Sequence, residues 1–392
     1  MASDSASSDG LFPPAFSETR NKRPLMTRGG PPNYVPNSLA AAAEPFKGIT
    51  TDGTIVPDLF PIQQTGVSTQ SLREAADAFL GSLTPEQRAK TVFSIDSGEW
   101  RKWSNIHPTL MRHGLALFEM NERQRDRAFE LLQESLSAEG FTTAVDVMHL
   151  NETVMEMTGK LDEYGEDLYW LSLMGTPSAK EPWGWQIDGH HLIINYFVLG
   201  DQVVMTPTFL GSEPVHAQSG RYAGTRVFKA DEDQGLAVIR ALSEEQRRKA
   251  IVAAEPNGEV FTSAFRDNLE LNYAGIPYDD LSNPQHDLLL RLVDIHVGRM
   301  RPAHAEIKMS EVKRHLRETY FCWMGGMEDD SVFYYRIQSP VIIIEFDHQR
   351  GIAFRQYVKP YKDHIHVVMR TPNGNDYGKD LLRQHYQLGH HS

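Results

Sequence analysis

Two β-rich segments that lie far apart along the chain constrain the fold most. The first, "YWLSLMG" followed by "WGWQIDGHHLIINYFVLGDQVVMTPTFLG", covers residues 167–215, and the second, "FYYRIQSPVIIIEFDHQ" followed by "DHIHVVMR", covers residues 332–371. Both contain the β-branched and aromatic runs that are typical of strands, and Gly200-Asp201 predicts a hairpin turn in the first. Distant strands that pair into one antiparallel β-sheet, covered by helices, predict an α+β fold.

The remaining segments show helical periodicity. Apolar residues recur at helical spacing within residues 68–160 and 230–325, so the N-terminal half is predicted to be mainly helical. Three helix starts share a cap residue followed by Glu and Gln, at Thr84, Asn121 and Ser243. This recurrence indicates either an ancient duplication or only a common way to begin a surface helix, and the unequal spacing argues against a solenoid.

Composition limits the class of protein. The chain has 392 residues and a net charge of −13, which argues against a nucleic-acid partner because phosphate binding needs clustered Lys and Arg. No apolar run approaches the roughly 18 residues of a membrane helix. The single cysteine, Cys322, cannot form an internal disulfide, and its aromatic neighbours predict a buried thiol. The acidic N-terminus does not resemble a signal peptide, so a cytoplasmic protein is expected.

Domain boundaries follow from the same composition. Residues 1–38 are rich in Ser, Pro and Gly and are predicted to form a disordered or surface-lying tail. Residues 39–392 are predicted to form one α+β domain. No Gly-rich loop follows a strand and opens a helix, which argues against Rossmann-type or P-loop nucleotide binding.

The "DHIHVVMR" segment carries the first candidate site. Successive side chains of a strand alternate between its faces, so His364, His366 and Arg370 share one face while Ile365 and Val367 share the apolar one. Two imidazoles on one face suit a metal site, and the guanidinium suits an anionic group of a substrate. Hydrogen-bonded or solvated histidines are the alternative interpretation.

Two carboxylates interrupt the neighbouring apolar strand "PVIIIEFDHQ". Glu345 and Asp347 share a face, and a charge in such a run is costly unless it has a partner. Glu345 is therefore a candidate third metal ligand, which with the two histidines would form the ligand set of non-haem iron or of a catalytic zinc site. The alternative is a salt bridge from Glu345 to an arginine such as Arg336, itself a candidate substrate-binding residue, or Arg355.

The "WGWQIDGHHLIINYF" segment supplies further candidates. In an extended chain His190 and His191 point to opposite faces, so at most one joins a given site unless a bulge intervenes. We predict His191 as a metal ligand and His190 as a catalytic residue beside it. Asn195, Trp183 and Trp185 are candidate substrate-binding residues, although plain packing also explains the tryptophans.

Glu213, in the turn "LGSEP" after a strand, is a candidate general acid or base. A metal-independent acid–base enzyme that uses His190, His191 and Glu213 is therefore an alternative to the metal hypothesis. The chain lacks a G-x-S-x-G elbow, an H-E-x-x-H helix and paired C-x-x-C motifs, which removes the sequence support for serine hydrolases, zincins and zinc ribbons.

Several long strings occur in a characteristic order: "LTPEQRAK", "GTPSAKEPWGWQIDGHHLIINYFV", "TPTFLGSEP", "YYRIQSPVIIIEFDHQ", "DHIHVVMR" and "DLLRQHY". In this order the chain resembles the uncharacterised family known as domain of unknown function 3500, from about Ser68 to Leu388. The resemblance implies that Gly189–His191 and His364–His366 are hallmarks of the family. It implies no established activity.

These observations predict a metal-dependent enzyme that acts on a small organic substrate. The ligands would be His191, Glu345, His364 and His366, and the metal a divalent zinc, iron or copper ion. Zinc predicts hydrolysis by metal-bound water, whereas iron or copper predicts oxygen chemistry. The competing class is a metal-free ligand-binding protein without catalytic activity.

Overall fold

The computed structural model describes residues 34–106 and 112–389, which form a mixed α/β structure around one large, mostly antiparallel sheet. The α-helices are α1 (Tyr34–Ala43), α2 (Gln70–Ser82), α3 (Pro85–Thr91), α4 (Glu122–Ser135), α5 (Ala138–Thr158), α6 (Lys229–Ala241), α7 (Glu244–Ala250), α8 (Asn283–Val297), α9 (Pro302–Arg314) and α10 (Lys379–Gly389). The strands are β1 (Val92–Phe93), β2 (Leu115–Ala116), β3 (Tyr169–Gly175), β4 (Trp183–Gly189), β5 (Leu192–Leu199), β6 (Gln202–Val204), β7 (Thr208–Ser212), β8 (Ile251–Ala253), β9 (Ile276–Pro277), β10 (Tyr320–Gly325), β11 (Phe333–Gln338), β12 (Ile343–Arg350) and β13 (Pro360–Arg370).

The sheet joins the two distant β-rich segments at its centre. Its order is β1-β3-β4-β5-β7-β13-β12-β11-β10-β8, and β7 pairs with β13 in antiparallel register. Short strands also come from the segments predicted as helical, since β1, β2, β8, β9 and β10 lie within residues 68–160 and 230–325. The predicted Gly200-Asp201 turn connects β5 to β6. The sheet therefore brings residues near position 190 and residues near position 365 onto adjacent strands.

The two halves of the sheet repeat one pattern. In each half a short strand pairs in parallel with a longer one, as β1 does with β3 and β8 with β10. In each half this longer strand begins a three-stranded antiparallel meander, β3-β4-β5 in the first half and β10-β11-β12 in the second. The second and third strands are connected by residues 190–191 in the first half and by a short turn at 339–342 in the second. The helices before each meander also correspond, and their cap glutamines pair: Gln124 donates to Gln87, and Gln285 to Gln246. The shared element order and pairing favour duplication over chance recurrence of a helix-start motif.

The capping predictions are confirmed. Thr84, Asn121 and Ser243 each accept a hydrogen bond from the backbone N–H three residues later and form capping boxes with the Gln there.

Cys322 is buried, as predicted, and burial raises the pKa of its thiol. No helix in the described ranges combines the length and apolarity that spanning a bilayer requires.

The predicted tail over residues 1–38 lies mostly outside the described residues, and its last five residues belong to α1.

Alternation along β13 separates a core face from a polar face, as predicted. Ile365, Val367 and Met369 belong to the main hydrophobic core. Val368, which shares a face with the histidines, packs in a second cluster on the other side of the sheet. Polar side chains of β13 therefore lie together on the face of the sheet that the main core does not cover.

Candidate metal centre

His191 lies in a tight turn at the end of the β4–β5 hairpin. The sequence suggested that His190 and His191 are consecutive residues of an extended strand. Instead, Gly189 pairs with Leu192, so the two histidines are the loop residues of the hairpin. His191 has φ = 64°, a left-handed conformation that is uncommon for a non-glycine residue and often found at functional sites. Its carbonyl accepts a hydrogen bond of 2.8 Å from the N–H of Gly211 on β7, which holds the turn against that strand.

Three imidazoles converge where this turn meets β13. The Nε2 atoms of His191 and His366 are 3.0 Å apart, those of His364 and His366 are 3.1 Å apart, and those of His191 and His364 are 3.3 Å apart. All three side chains are buried. Within the described ranges this is the one group of three His, Cys, Asp or Glu side chains whose atoms could together hold a metal ion.

The distances fit a metal ion bound on one face. With metal–nitrogen bonds of about 2.0–2.1 Å, two ligands are about 3.3 Å apart in a tetrahedral site and about 2.9 Å apart in neighbouring octahedral positions. Three ligands in a square plane would include one pair about 4 Å apart. The observed range of 3.0–3.3 Å therefore fits tetrahedral or facial octahedral binding, in which three histidines would occupy one side of an ion.

The protonation state of the cluster also suits a cation. Burial, followed by the charges of neighbouring histidines, lowers the pKa of His191 and of His366 well below the ordinary value. Burial also lowers the pKa of His364. Because metal binding requires neutral imidazole, desolvation keeps these rings in the form that can bind.

A hydrogen bond at Nδ1 of His364, the ring nitrogen that faces away from the cluster, fixes the orientation of its imidazole. Its Nδ1 is 2.7 Å from the carbonyl oxygen of Arg350, which can only accept, so Nδ1 donates and the lone pair of Nε2 points into the cluster. The carboxylate of Glu213 is 3.6 Å from the same Nδ1. A carbonyl or carboxylate behind a histidine is the usual support of a metal-ligating imidazole.

Glu213 holds the loop that follows β12. Its carboxylate accepts hydrogen bonds from the backbone N–H groups of Ile352, Ala353 and Phe354 and from the hydroxyl of Tyr361, over 2.8–3.3 Å. The side chain is 2% exposed. With its oxygens occupied by donors, Glu213 is placed to support His364 and this loop, and the predicted general acid–base role does not follow from its surroundings.

We expect Glu213→Gln to weaken metal binding about 10- to 100-fold, the usual cost of removing an outer partner of a ligand. Glutamine would direct an amide NH₂ group at backbone donors, and we also expect a loss of about 2–3 kcal/mol of unfolding free energy. Glu345→Gln is the matched control, because Glu345 is equally buried among donors. Zinc titration against a chelator and denaturant unfolding measure the two quantities; equal zinc affinities in both variants would contradict the proposed role.

Glu345 does not join the histidine cluster. Its carboxylate accepts hydrogen bonds from the backbone N–H groups of Phe261 (2.7 Å) and Thr262 (2.9 Å), from the Thr262 hydroxyl, and from the Tyr334 hydroxyl (2.7 Å). It shares the face of the histidines but pairs with Val368, which lies two residues beyond His366 on β13. The predicted carboxylate ligand is therefore bound by the 261–262 loop, and the group that could hold a metal contains only histidines.

Arg370 is likewise committed elsewhere. It is fully buried, donates to Asp267 Oδ1 (3.1 Å) and the carbonyl of Arg266 (3.2 Å), and its Nε is 3.5 Å from Asp376. Two carboxylates thus offset its charge, and the predicted anion-holding role is not supported.

Arg336, a predicted substrate-binding residue, pairs across the sheet with Glu345 and donates to the carbonyl of Asn272.

The remaining predicted residues pack or support the structure. Trp183 and Trp185 face the main core; the first donates to the carbonyl of Ser178 and the second stacks on Tyr196. Asn195 is buried and accepts a 2.6 Å hydrogen bond from Gln186.

His190 is 2.8 Å from Asn151 through Nδ1, and its ring centroid is 3.9 Å from that of His191. It flanks the cluster without belonging to the group of three, so its predicted catalytic role stays a prediction.

His366 connects the cluster to a cleft of about 530 Å³. The cleft lies between α1, the 258–266 loop and the end of β12. Its lining includes Tyr34, Phe265, Gln349 and Arg350. A larger groove of about 740 Å³, beside α8 and α9, contains none of the three histidines. The cleft next to His366 is therefore the place where a small molecule could reach a metal held by the cluster.

The fold and the cluster define a mixed α/β protein with a candidate all-histidine metal centre. The chain belongs to the family of proteins of unknown function DUF3500, whose sequence profile matches residues 65–379. Neither the curated proteins nor the solved structures include a match to this chain. Family membership confirms the resemblance seen in the sequence and assigns no activity.

Proposed function

We propose that this protein is a metal-dependent enzyme that acts on a small organic substrate, with a divalent transition metal held by His191, His364 and His366. The observation that carries the proposal is the convergence of three Nε2 atoms, 3.0–3.3 Å apart, beside an open cleft. Three imidazoles with a free position opposite them are the usual protein ligands of a catalytic zinc site.

The number of ligands favours catalysis over a structural metal. Structural zinc sites are closed by four protein ligands, whereas catalytic sites keep one position for water or substrate. Within the described ranges no fourth His, Cys, Asp or Glu side chain completes the group. The remaining positions of a bound metal would therefore be available to water and substrate.

Hydrolysis is the reaction we propose first. His191, His364 and His366, as neutral imidazoles, would hold a zinc ion without cancelling its charge, and such an ion would supply a bound water with a pKa of about 7 and a Lewis acid for a carbonyl group. An oxygen-activating iron enzyme is the second candidate, because a facial set of three ligands also describes non-haem iron sites. The all-histidine set departs from the usual two-histidine, one-carboxylate iron site, which favours zinc.

Metal analysis of the purified protein tests the proposal. We expect close to one equivalent of zinc or iron in tag-free protein, and restored metal after chelation and reloading. At a free metal concentration 100 times Kd, binding would raise the unfolding free energy by about 2.7 kcal/mol, so the melting temperature should rise. Chelation should also abolish hydrolysis of a panel of activated esters and amides.

The alternatives predict different results in the same experiments. Less than about 0.2 equivalents of any transition metal, with no thermal shift on adding zinc, iron or copper, would favour a metal-free binding protein. Hydrolysis that survives chelation would favour the metal-independent acid–base enzyme. Bound iron with oxygen consumption and no hydrolysis would favour the second candidate.

A further inference from the structure

Arg350 lies on the cleft because of an irregularity in β12. Strict alternation would put Gln349 and Arg350 on opposite faces, yet both line the cleft beside His366. The pairing of β12 with β13 shifts register between His348 and Arg350, which is the signature of a β-bulge. Bulges redirect side chains and are common next to active sites. Here the bulge places an arginine at the wall of the cleft, while the carbonyl of the same residue holds His364.

Arg350 takes part in no ion pair within the part of the chain that the structure describes. No carboxylate in the described ranges lies within 4 Å of its guanidinium nitrogens, and Arg350 is exposed. Arg266, on the same cleft, contrasts with it because Glu259 is 3.8 Å from its Nη2. The three imidazoles add no negative charge, and a bound divalent cation would make this end of the cleft more positive.

Apolar and aromatic side chains supply part of the other walls, beside polar residues such as Asn105 and Ser263 and the ion pair of Glu259 with Arg266. Tyr34 and Phe265 contact each other edge to face, with ring centroids 6.0 Å apart. Val260, Ala264 and Ile352 also line the space. A volume of about 530 Å³ admits a ligand of ordinary metabolite size. The cleft therefore combines apolar walls with an arginine, Arg350, that has no carboxylate partner, and His366 lines the same space.

We infer that the substrate is an organic anion with an apolar body, whose carboxylate or phosphate is bound by Arg350. This inference rests on the proposed function, because the histidine cluster defines which part of the cleft is the reactive one. Arginine suits the role because its planar guanidinium donates two parallel hydrogen bonds to carboxylate or phosphate oxygens. Arg350 thus takes the anion-binding role that the sequence assigned to Arg370.

Binding of a matched pair of probes to zinc-loaded protein tests the inference. Elemental analysis first establishes that each variant holds zinc, and calorimetry then compares 3-phenylpropionate with its neutral amide. We expect the carboxylate to bind at least about tenfold more tightly in the unaltered protein, as a charge-assisted pair would give. Arg350→Gln should remove this preference without changing zinc content. Arg355→Gln, in the same loop but outside the lining of the cleft, should preserve it.

Each result separates the two proposals. Absence of zinc in the unaltered protein overturns the proposed function. Zinc present together with a carboxylate that binds no more tightly than the amide, or not at all, overturns the inference alone. A carboxylate preference that persists in Arg350→Gln also overturns it, because the zinc ion itself would then be the anion-binding group.

Discussion

His191→Asn is expected to abolish metal binding, whereas His190→Asn is expected to preserve it. Asparagine removes the imidazole but tolerates the left-handed conformation of residue 191, where φ is 64°, so the hairpin turn should survive. The loss of one of three ligands should weaken zinc binding by more than the roughly 100-fold upper cost of altering an outer partner. His190 is the matched control because it is the neighbouring buried imidazole, bonded to Asn151 instead of the cluster.

Elemental analysis and zinc titration against a chelator measure the effect, and circular dichroism shows whether both variants fold. Equal zinc affinity in the two variants would mean that the metal, if any, binds elsewhere. Loss of zinc in His190→Asn alone would indicate that His190, and not His191, is a ligand of the metal. Only the combination of lost binding at residue 191 and retained binding at residue 190 agrees with the Nε2 distances.

The histidine cluster could be predicted from the sequence because it depends on strand alternation. The apolar positions Ile365 and Val367 define the core face of β13, and this places His364 and His366 together on the other face. The long-range step, that the Gly-His-His segment meets this strand, followed from the expectation that the two β-rich segments share a sheet. In the structure β7 pairs with β13, although further strands of the sheet come from other segments.

The carboxylate and arginine partners could not be predicted in the same way. Alternation gives the face of a side chain but not which loop covers it. Glu345 lies on the correct face, yet the backbone N–H groups of residues 261 and 262 bind it, and that loop has no periodicity to reveal its position. The bulge before Arg350 breaks the alternation that sequence reasoning relies on, so the residue was missed.

Gly211 was missed as well, although a glycine inside a strand is a signal of close approach by another group. It pairs with His366 across β7 and β13. A Cβ atom at this position would be 2.8 Å from Cδ2 of His366, 2.8 Å from the carbonyl oxygen of Ile365 and 3.1 Å from Cδ2 of His191. Two of the three candidate ligands therefore owe their positions to the absence of a side chain at residue 211.

Gly211→Ala is thus expected to displace the imidazoles of His366 and His191 and to weaken zinc binding about 10- to 100-fold, as misplaced ligands do. Overpacking should also cost about 1–3 kcal/mol of unfolding free energy. Gly184→Ala is the matched control, since its Cβ would meet Tyr196 O at 2.3 Å and Trp100 at 2.8 Å in the same sheet. That variant should lose comparable stability and keep its zinc affinity. If Gly211→Ala binds zinc as tightly as Gly184→Ala does, the packing of these rings does not set the geometry of the centre.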